Sequence, residues 1–121
     1  MIFGIYCRKS VLNEKSESIE VQIQLCREYI YSRIDTQAEI RIYADEGFSG
    51  KNTYRPMLMR LIEDIKERKV DYVVCYRLDR ISRSVSDFSA LIELMNRSGV
   101  SFICIKEEFD TSRPMGKAMM Y

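Results

Sequence analysis

The chain has 121 residues, 46% of them hydrophobic and 31% charged, with 19 Lys and Arg against 18 Asp and Glu for a formal net charge of +1. A chain of this length suits one compact domain with a real core, and its composition is neither disordered nor collagen-like. The near-neutral balance excludes a global basic excess for nucleic acid, so any DNA contact must come from local clusters such as Lys66 to Lys69 or Arg77 to Arg83.

Ile2 to Cys7 is a nearly continuous apolar run that predicts a strand buried on both faces, ended by Arg8, Lys9 and Ser10. Ser16 or Ser18 would cap a helix carrying Ile19, Ile23, Cys26 and Ile30 on one stripe and running to about Arg33. Glu39 to Asp45 alternates apolar and polar residues as a second strand, followed by a polar, Gly-containing loop from Glu46 to Thr53. Pro56 fits the first turn of a helix with Leu58, Leu61, Ile62 and Ile65 inward, and the Lys66 to Lys69 cations complement its C-terminus. Asp71 to Tyr76 is the most apolar strand, with Arg77 to Arg83 as a charged exit. Ser84 or Ser86 would cap a further helix with Phe88, Leu91, Ile92 and Met95 inward, and Gly99 would stop it. Val100 to Ile105 is a fourth strand, Lys106 to Arg113 a loop, and Pro114 opens a helix that reaches Tyr121.

Strands alternating with helices predict an α/β fold of three layers, a mainly parallel sheet of four to five strands with helices on both faces. The four cysteines, Cys7, Cys26, Cys75 and Cys104, form no C-x-x-C pair and there is no histidine to complete a mixed zinc site, so they read as buried free thiols of a reducing cytosol. The start, MIFGIYCRKS, has its charge after the apolar run, the reverse of a secretion signal, and no run approaches membrane-spanning length. A cytoplasmic protein without a membrane partner is expected.

In parallel sheets functional residues gather at the carboxyl ends of strands. Here those ends carry Arg8 and Ser10, then Asp45, then Arg77, Asp79, Arg80 and Arg83. A lone serine there is ordinarily a helix cap. Arg8, Arg80 and Arg83 converging from different strands would repel unless an anion sat among them, and phosphate matches guanidinium forks. Without histidine no Ser-His-Asp triad can form, which leaves phosphoryl transfer by positioning and charge neutralisation, with Ser10 attacking phosphorus. A response-regulator receiver would need carboxylates where Arg8-Lys9-Ser10 stands, and no G-x-G-x-x-G follows the first strand to support a Rossmann site.

Over nearly its whole length the chain resembles the serine recombinases, the resolvases, invertases and large integrases. Tyr6-Cys7-Arg8-Lys9-Ser10 is similar to their Y-x-R-x-S signature, and Ser18-Ile19-Glu20-Val21-Gln22 carries Gln22 where they keep an active-site glutamine. Asp45-Glu46-Gly47-Phe48-Ser49-Gly50 with Arg55-Pro56 resembles their active-site loop and its catalytic arginine, and Tyr76 to Arg83 resembles their most diagnostic segment. The wording of the loop and of Tyr76 to Phe88 looks more like the large serine recombinases than the small resolvases.

The resemblance implies a resolvase-like catalytic domain of central strand order 2-1-3-4. By it Ser10 is the nucleophile, Arg8, Arg80 and Arg83 bind and activate the scissile phosphate, and Gln22, Ser49, Arg55 and Asp79 shape the site, Asp79 as proton donor or arginine orienter. It further implies a 5′-phosphoserine intermediate, no cofactor or metal, and double-stranded DNA attachment sites as partner. A homodimer, a synaptic homotetramer and a directionality factor are the implied assembly partners. Residues 1–113 would be the catalytic domain and 114–121 the start of a truncated dimerisation helix, with the DNA-recognition domain absent and this fragment inactive alone. The competing reading is a non-catalytic phosphate- or DNA-associated module of the same fold, which has no need of a hydroxyl aimed at its anion.

Overall fold

The computed structural model describes residues 1–9, 18–46, 55–77 and 85–111. Its elements are β1 (Ile2–Lys9), α1 (Ile19–Arg33), β2 (Glu39–Glu46), α2 (Pro56–Lys66), β3 (Tyr72–Cys75), α3 (Val85–Arg97), β4 (Ser101–Cys104) and β5 (Phe109–Asp110). They form one sheet of order β2-β1-β3-β4-β5, in which only the β4–β5 pair is antiparallel. This is the expected order with a fifth strand added at the edge.

β1 lies in the interior of the sheet because every residue from Phe3 to Arg8 is buried, which a strand achieves only with cover on both faces. Its alternation divides the core in two. Phe3, Ile5 and Cys7 pack with Ile19, Cys26 and Ile30 of α1, together with Val74 and Ile103 of the neighbouring strands. Tyr6 faces the other way, into a cluster with Leu61 and Ile65 of α2 and Leu91, Ile92 and Met95 of α3. On that second face Gly4 lies under the Tyr43 ring: a Cβ at Gly4 would come within 3.1 Å of Tyr43 Cε2 and 3.3 Å of Leu61 Cδ1. The ring has little room to retreat, since its hydroxyl donates to Asp64 Oδ2 at 2.5 Å.

α1 starts as its sequence suggests. Ser18 is extended, with ψ 163°, and its side chain accepts from Val21 N at 3.2 Å. The alternative cap, Ser16, lies outside the described residues, as does Ser84, while Ser86 stands inside α3. Among the described residues no helix is long and apolar enough to cross a membrane.

α2 and α3 end in the same hydrogen-bonded motif with different residues at its left-handed position. After α3, Val100 N bonds Met95 O at 2.9 Å and Gly99 N bonds Asn96 O at 3.3 Å, with Gly99 at φ +72°. After α2, Lys69 N bonds Asp64 O at 2.8 Å and Arg68 N bonds Ile65 O at 3.0 Å, with Arg68 at φ 58°. Both are Schellman closures, which favour glycine because only glycine lacks the Cβ that crowds a carbonyl there.

The segment expected as a loop after β4 contains a tight turn and β5. Glu108, at φ 59°, turns the chain, Phe109 pairs Cys104, and Thr111 closes the return by accepting from Phe102 N at 2.8 Å through Oγ1. Two residues of strand leave no periodic signal, which is why the sequence reads only as a loop.

The two helix ends give opposite expectations. Gly99→Ala should destabilise the chain by about 0.5–1 kcal/mol, its backbone strain reduced by the smaller entropy of the unfolded alanine, since its Cβ would meet nothing within 4 Å. Arg68→Gly should stabilise it, by about 0.5–1 kcal/mol after the extra entropy of the unfolded glycine is subtracted. Urea unfolding of both variants beside the parent checks the pair of signs.

Candidate active site

The carboxyl ends of β1 and β2 lie side by side, with Arg8 opposite Asp45 in the parallel register. Asp45 is only 1% exposed, so its carboxylate must find donors inside the protein. It finds three. Tyr6 donates its hydroxyl to Oδ2 at 2.8 Å, Met57 N donates to Oδ1 at 3.0 Å, and Leu58 N donates to Oδ2 at 3.1 Å. The two amides belong to the first turn of α2, so a strand residue supplies the cap that a helix ordinarily receives from its own preceding residue.

That preceding residue is Arg55, which makes no side-chain cap bond. Its guanidinium turns toward β1 instead, with Nε donating to the Tyr6 hydroxyl at 3.0 Å and Cζ 5.1 Å from the Tyr6 ring centroid. Tyr6 thus stands between a cation and an anion, receiving from one and giving to the other. Burial pushes its phenol well above the ordinary tyrosine range, while the Arg55 charge works against that shift, so the hydroxyl keeps its proton at any physiological pH.

On the other face of β1, Gln22 of α1 is completely buried and its Nε2 donates to the Arg8 carbonyl at 3.2 Å. This amide interrupts the apolar stripe of α1, standing beside Ile19 and Cys26 among the buried positions of the helix. Arg8 itself is 8% exposed, and strand alternation puts its side chain on the Tyr6 face. At the end of β3, the Arg77 guanidinium lies 5.8 Å from the Tyr76 ring centroid.

Of the residues expected to form the site, Arg8, Gln22 and Arg55 are described, and all three meet the carboxyl end of β1. Ser10, Ser49, Asp79, Arg80 and Arg83 lie outside the described residues. Two further contributors emerge from the geometry. Tyr6 enters the sequence reading only as the first letter of Y-x-R-x-S, and Asp45 as a functional strand end that opens the segment resembling the active-site loop, neither with a role or partner of its own. The signal available for both was a tyrosine and an aspartate on inward-facing positions of buried strands, where each requires a partner.

The four cysteines are free and buried, Cys7 and Cys26 on the α1 side and Cys75 and Cys104 on the other. Among the described residues no three Cys, Asp or Glu side chains gather into a group that could hold a metal ion. Burial pushes the Cys7 thiol up to about 12 and raises Cys26 and Cys75 as well. A raised thiol pKa leaves little thiolate below that value, so maleimide at pH 8 should label these three cysteines only as fast as the chain unfolds. Mass spectrometry of native against urea-unfolded protein reads the difference.

A family profile, Resolvase, N terminal domain, matches residues 3–121. The Transposon Tn917 resolvase of Enterococcus faecalis is 34% identical over 117 residues, which cover 97% of this chain and 55% of that protein. The chain therefore spans little more than half of this relative's length. Among solved structures, the N-terminal catalytic domain of TP901-1 integrase superposes with a TM-score of 0.85 at 34% identity, covering 99% of this chain and 88% of that one. A resolvase family site-specific recombinase from Streptococcus pneumoniae gives 0.79 at 28% identity, over 99% and 83% respectively.

Proposed function

From the premise that the chain belongs to the resolvase family and folds as a serine recombinase catalytic domain, we propose that it breaks and rejoins DNA strands at specific sites through a covalent 5′-phosphoserine link from Ser10. The observation that carries the reading is the gathering of Arg8, Gln22 and Arg55 at the carboxyl end of β1, two residues before that serine. Cations held there suit a phosphodiester.

In the proposed reaction Ser10 gives up its hydroxyl proton to solvent as Oγ attacks phosphorus, the new O–P bond forms as the bond to the 3′ oxygen breaks, and that oxygen takes up a proton and leaves as a 3′-hydroxyl. Arg8, Arg80 and Arg83 bind the phosphate and neutralise the charge of the crowded transition state. Arg55, Ser49 and Gln22 shape its surroundings, and Asp79 either donates the leaving-group proton or orients an arginine. Attack by another strand's 3′-hydroxyl on the phosphoserine reverses the chemistry and rejoins DNA. The bond energy stays in the phosphoserine, so the reaction consumes no ATP and calls for no metal.

The assembly follows the same reading: a cytoplasmic recombinase acting on double-stranded attachment sites, as a homodimer at each site and a homotetramer in synapsis, with a directionality factor as a further partner. Residues 1–113 supply the chemistry and 114–121 open the dimerisation helix. These 121 residues by themselves should not cleave DNA.

Ser10→Ala in the full-length recombinase should abolish covalent protein on a nicked site while leaving site binding intact, as read on a denaturing gel beside a mobility-shift assay. Covalent complex formed by the alanine variant would remove Ser10 as nucleophile, and its absence from the parent protein would favour the non-catalytic module. Arg80→Ala and Arg83→Ala should each slow cleavage by about 100- to 1000-fold. Arg68→Ala removes an exposed arginine at the end of α2 and should leave the rate unchanged.

A further inference from the structure

We infer that Cys75 and Cys104 form a two-thiol binding site for a soft monovalent cation of the Cu(I) class, held in linear coordination between the carboxyl ends of β3 and β4. The site stands apart from the proposed DNA chemistry, which uses neither cysteine.

The register of the sheet is the first ground. Cys75 and Cys104 are Cα partners in the parallel β3–β4 pair, so their side chains leave the sheet on the same face and in the same direction. Both enter the core cluster on the α2 and α3 side, at 0% and 1% exposure. Backbone hydrogen bonds continue past them, from Ile105 N to Cys75 O at 3.1 Å and from Lys106 N to Tyr76 O at 2.8 Å, so the two strands keep their spacing at the cysteines.

Span is the second ground. Neighbouring strands run about 4.8 Å apart, whereas a disulfide brings its Cβ atoms to about 3.8 Å. Parallel side chains in register start from the strand spacing, which is too wide for the sulfurs to join without drawing the sheet together. A linear bridge of two metal–sulfur bonds, each about 2.3 Å, spans about 4.6 Å and fits that spacing. A pair of thiolates is also the donor set that soft ions select. Zinc asks for a larger set, and among the described residues no group of three Cys, Asp or Glu side chains offers one.

Proton balance is the third ground. The Cys104 thiol donates to Glu107 Oε2 at 2.8 Å, and the Cys75 thiol is hydrogen-bonded to Cys104 behind it. Burial holds Cys75 protonated, so the cation must displace both thiol protons. As each metal–sulfur bond forms, an S–H bond breaks: one proton passes to the Glu107 carboxylate and the other to solvent. One positive charge has then entered, two thiols have become thiolates and one carboxylate has been neutralised. The formal charge of the site is unchanged, which spares the core an added buried charge. Glu107 is exposed in the turn between β4 and the two-residue β5, and opening of that turn gives the ion its way in.

The experiment titrates this chain with Cu(I) under anaerobic conditions against a chromophoric cuprous chelator, counts ions by native mass spectrometry and reads the neighbours of the metal by X-ray absorption. One ion per chain should bind, with two sulfur neighbours and an unchanged circular dichroism spectrum. Cys75→Ala and Cys104→Ala should each weaken uptake about 100- to 10,000-fold, the scale of a lost second attachment. A chain carrying Cys7→Ala and Cys26→Ala together should bind as the parent does. Glu107→Gln should bind about 10- to 100-fold more weakly, as changes behind a metal ligand do. Its exposed position keeps this variant informative even if a core alanine variant fails to fold. Retention of the ion by either Cys75→Ala or Cys104→Ala, three or more sulfur neighbours, or uptake only with loss of the native spectrum would overturn the site. Parent-like affinity in Glu107→Gln would overturn the proton route, and a Cys75–Cys104 disulfide formed by diamide in the folded chain would overturn the argument from span. None of these results bears on Ser10 or the arginines, so the proposed function stands or falls separately.

Discussion

The Asp45 carboxylate is the point at which three elements of the chain are tied together. A buried anion is costly unless its oxygens are satisfied, and among the described residues its donors are Tyr6 on β1 and two amides in the first turn of α2. Meeting that demand fixes where α2 begins relative to the two parallel strands, and with it where Arg55 emerges. The interaction is therefore more than local capping. Removing either partner would leave a buried charge or an open helix end, so β1, β2 and α2 are obliged to keep their relative placement.

The two faces of β1 serve different ends. Toward α1 it presents Phe3, Ile5 and Cys7 to an apolar layer, interrupted where Gln22 reaches the Arg8 carbonyl. Toward α2 and α3 it presents Gly4, which lets the Tyr43 ring approach, then Tyr6 in its polar relay, then Arg8. Polarity increases along that face in the direction of the strand, so the core grades into the candidate site without a boundary between them. This matches the rule that parallel sheets collect their chemistry at carboxyl ends.

The large elements were legible because each carries a repeating apolar signal. β1, β3 and β4 are short apolar runs, β2 alternates, and α2 and α3 bury Leu61, Ile65, Leu91, Ile92 and Met95 at helical spacing. Gly99 announced its helix end, whereas Arg68 could not, since the left-handed turn there is imposed by the backbone bonds of the closure on a residue that disfavours it. The site was legible in part. Arg8 and Arg55 could be named from resemblance, but the partnership of Tyr6, Asp45 and Arg55 spans 39 and 49 positions of sequence from Tyr6, a distance across which no periodic pattern reports contact. Gln22 could be named from the same resemblance, but its bond to the Arg8 carbonyl could not.

The in-register pairing of β1 with β2 runs without interruption from Ile2 opposite Glu39 to Lys9 opposite Glu46. Side chains on such a strand alternate with a period of two, so the assignment of residues to faces behaves as a reading frame. A shift of a single place would send Tyr6 and Arg8 into the apolar layer under α1 and turn Phe3, Ile5 and Cys7 toward Asp45 and Arg55. Letters within the strand can be exchanged one at a time at graded cost. Its length cannot, and an insertion or deletion between Ile2 and Arg8 would scramble core and site together.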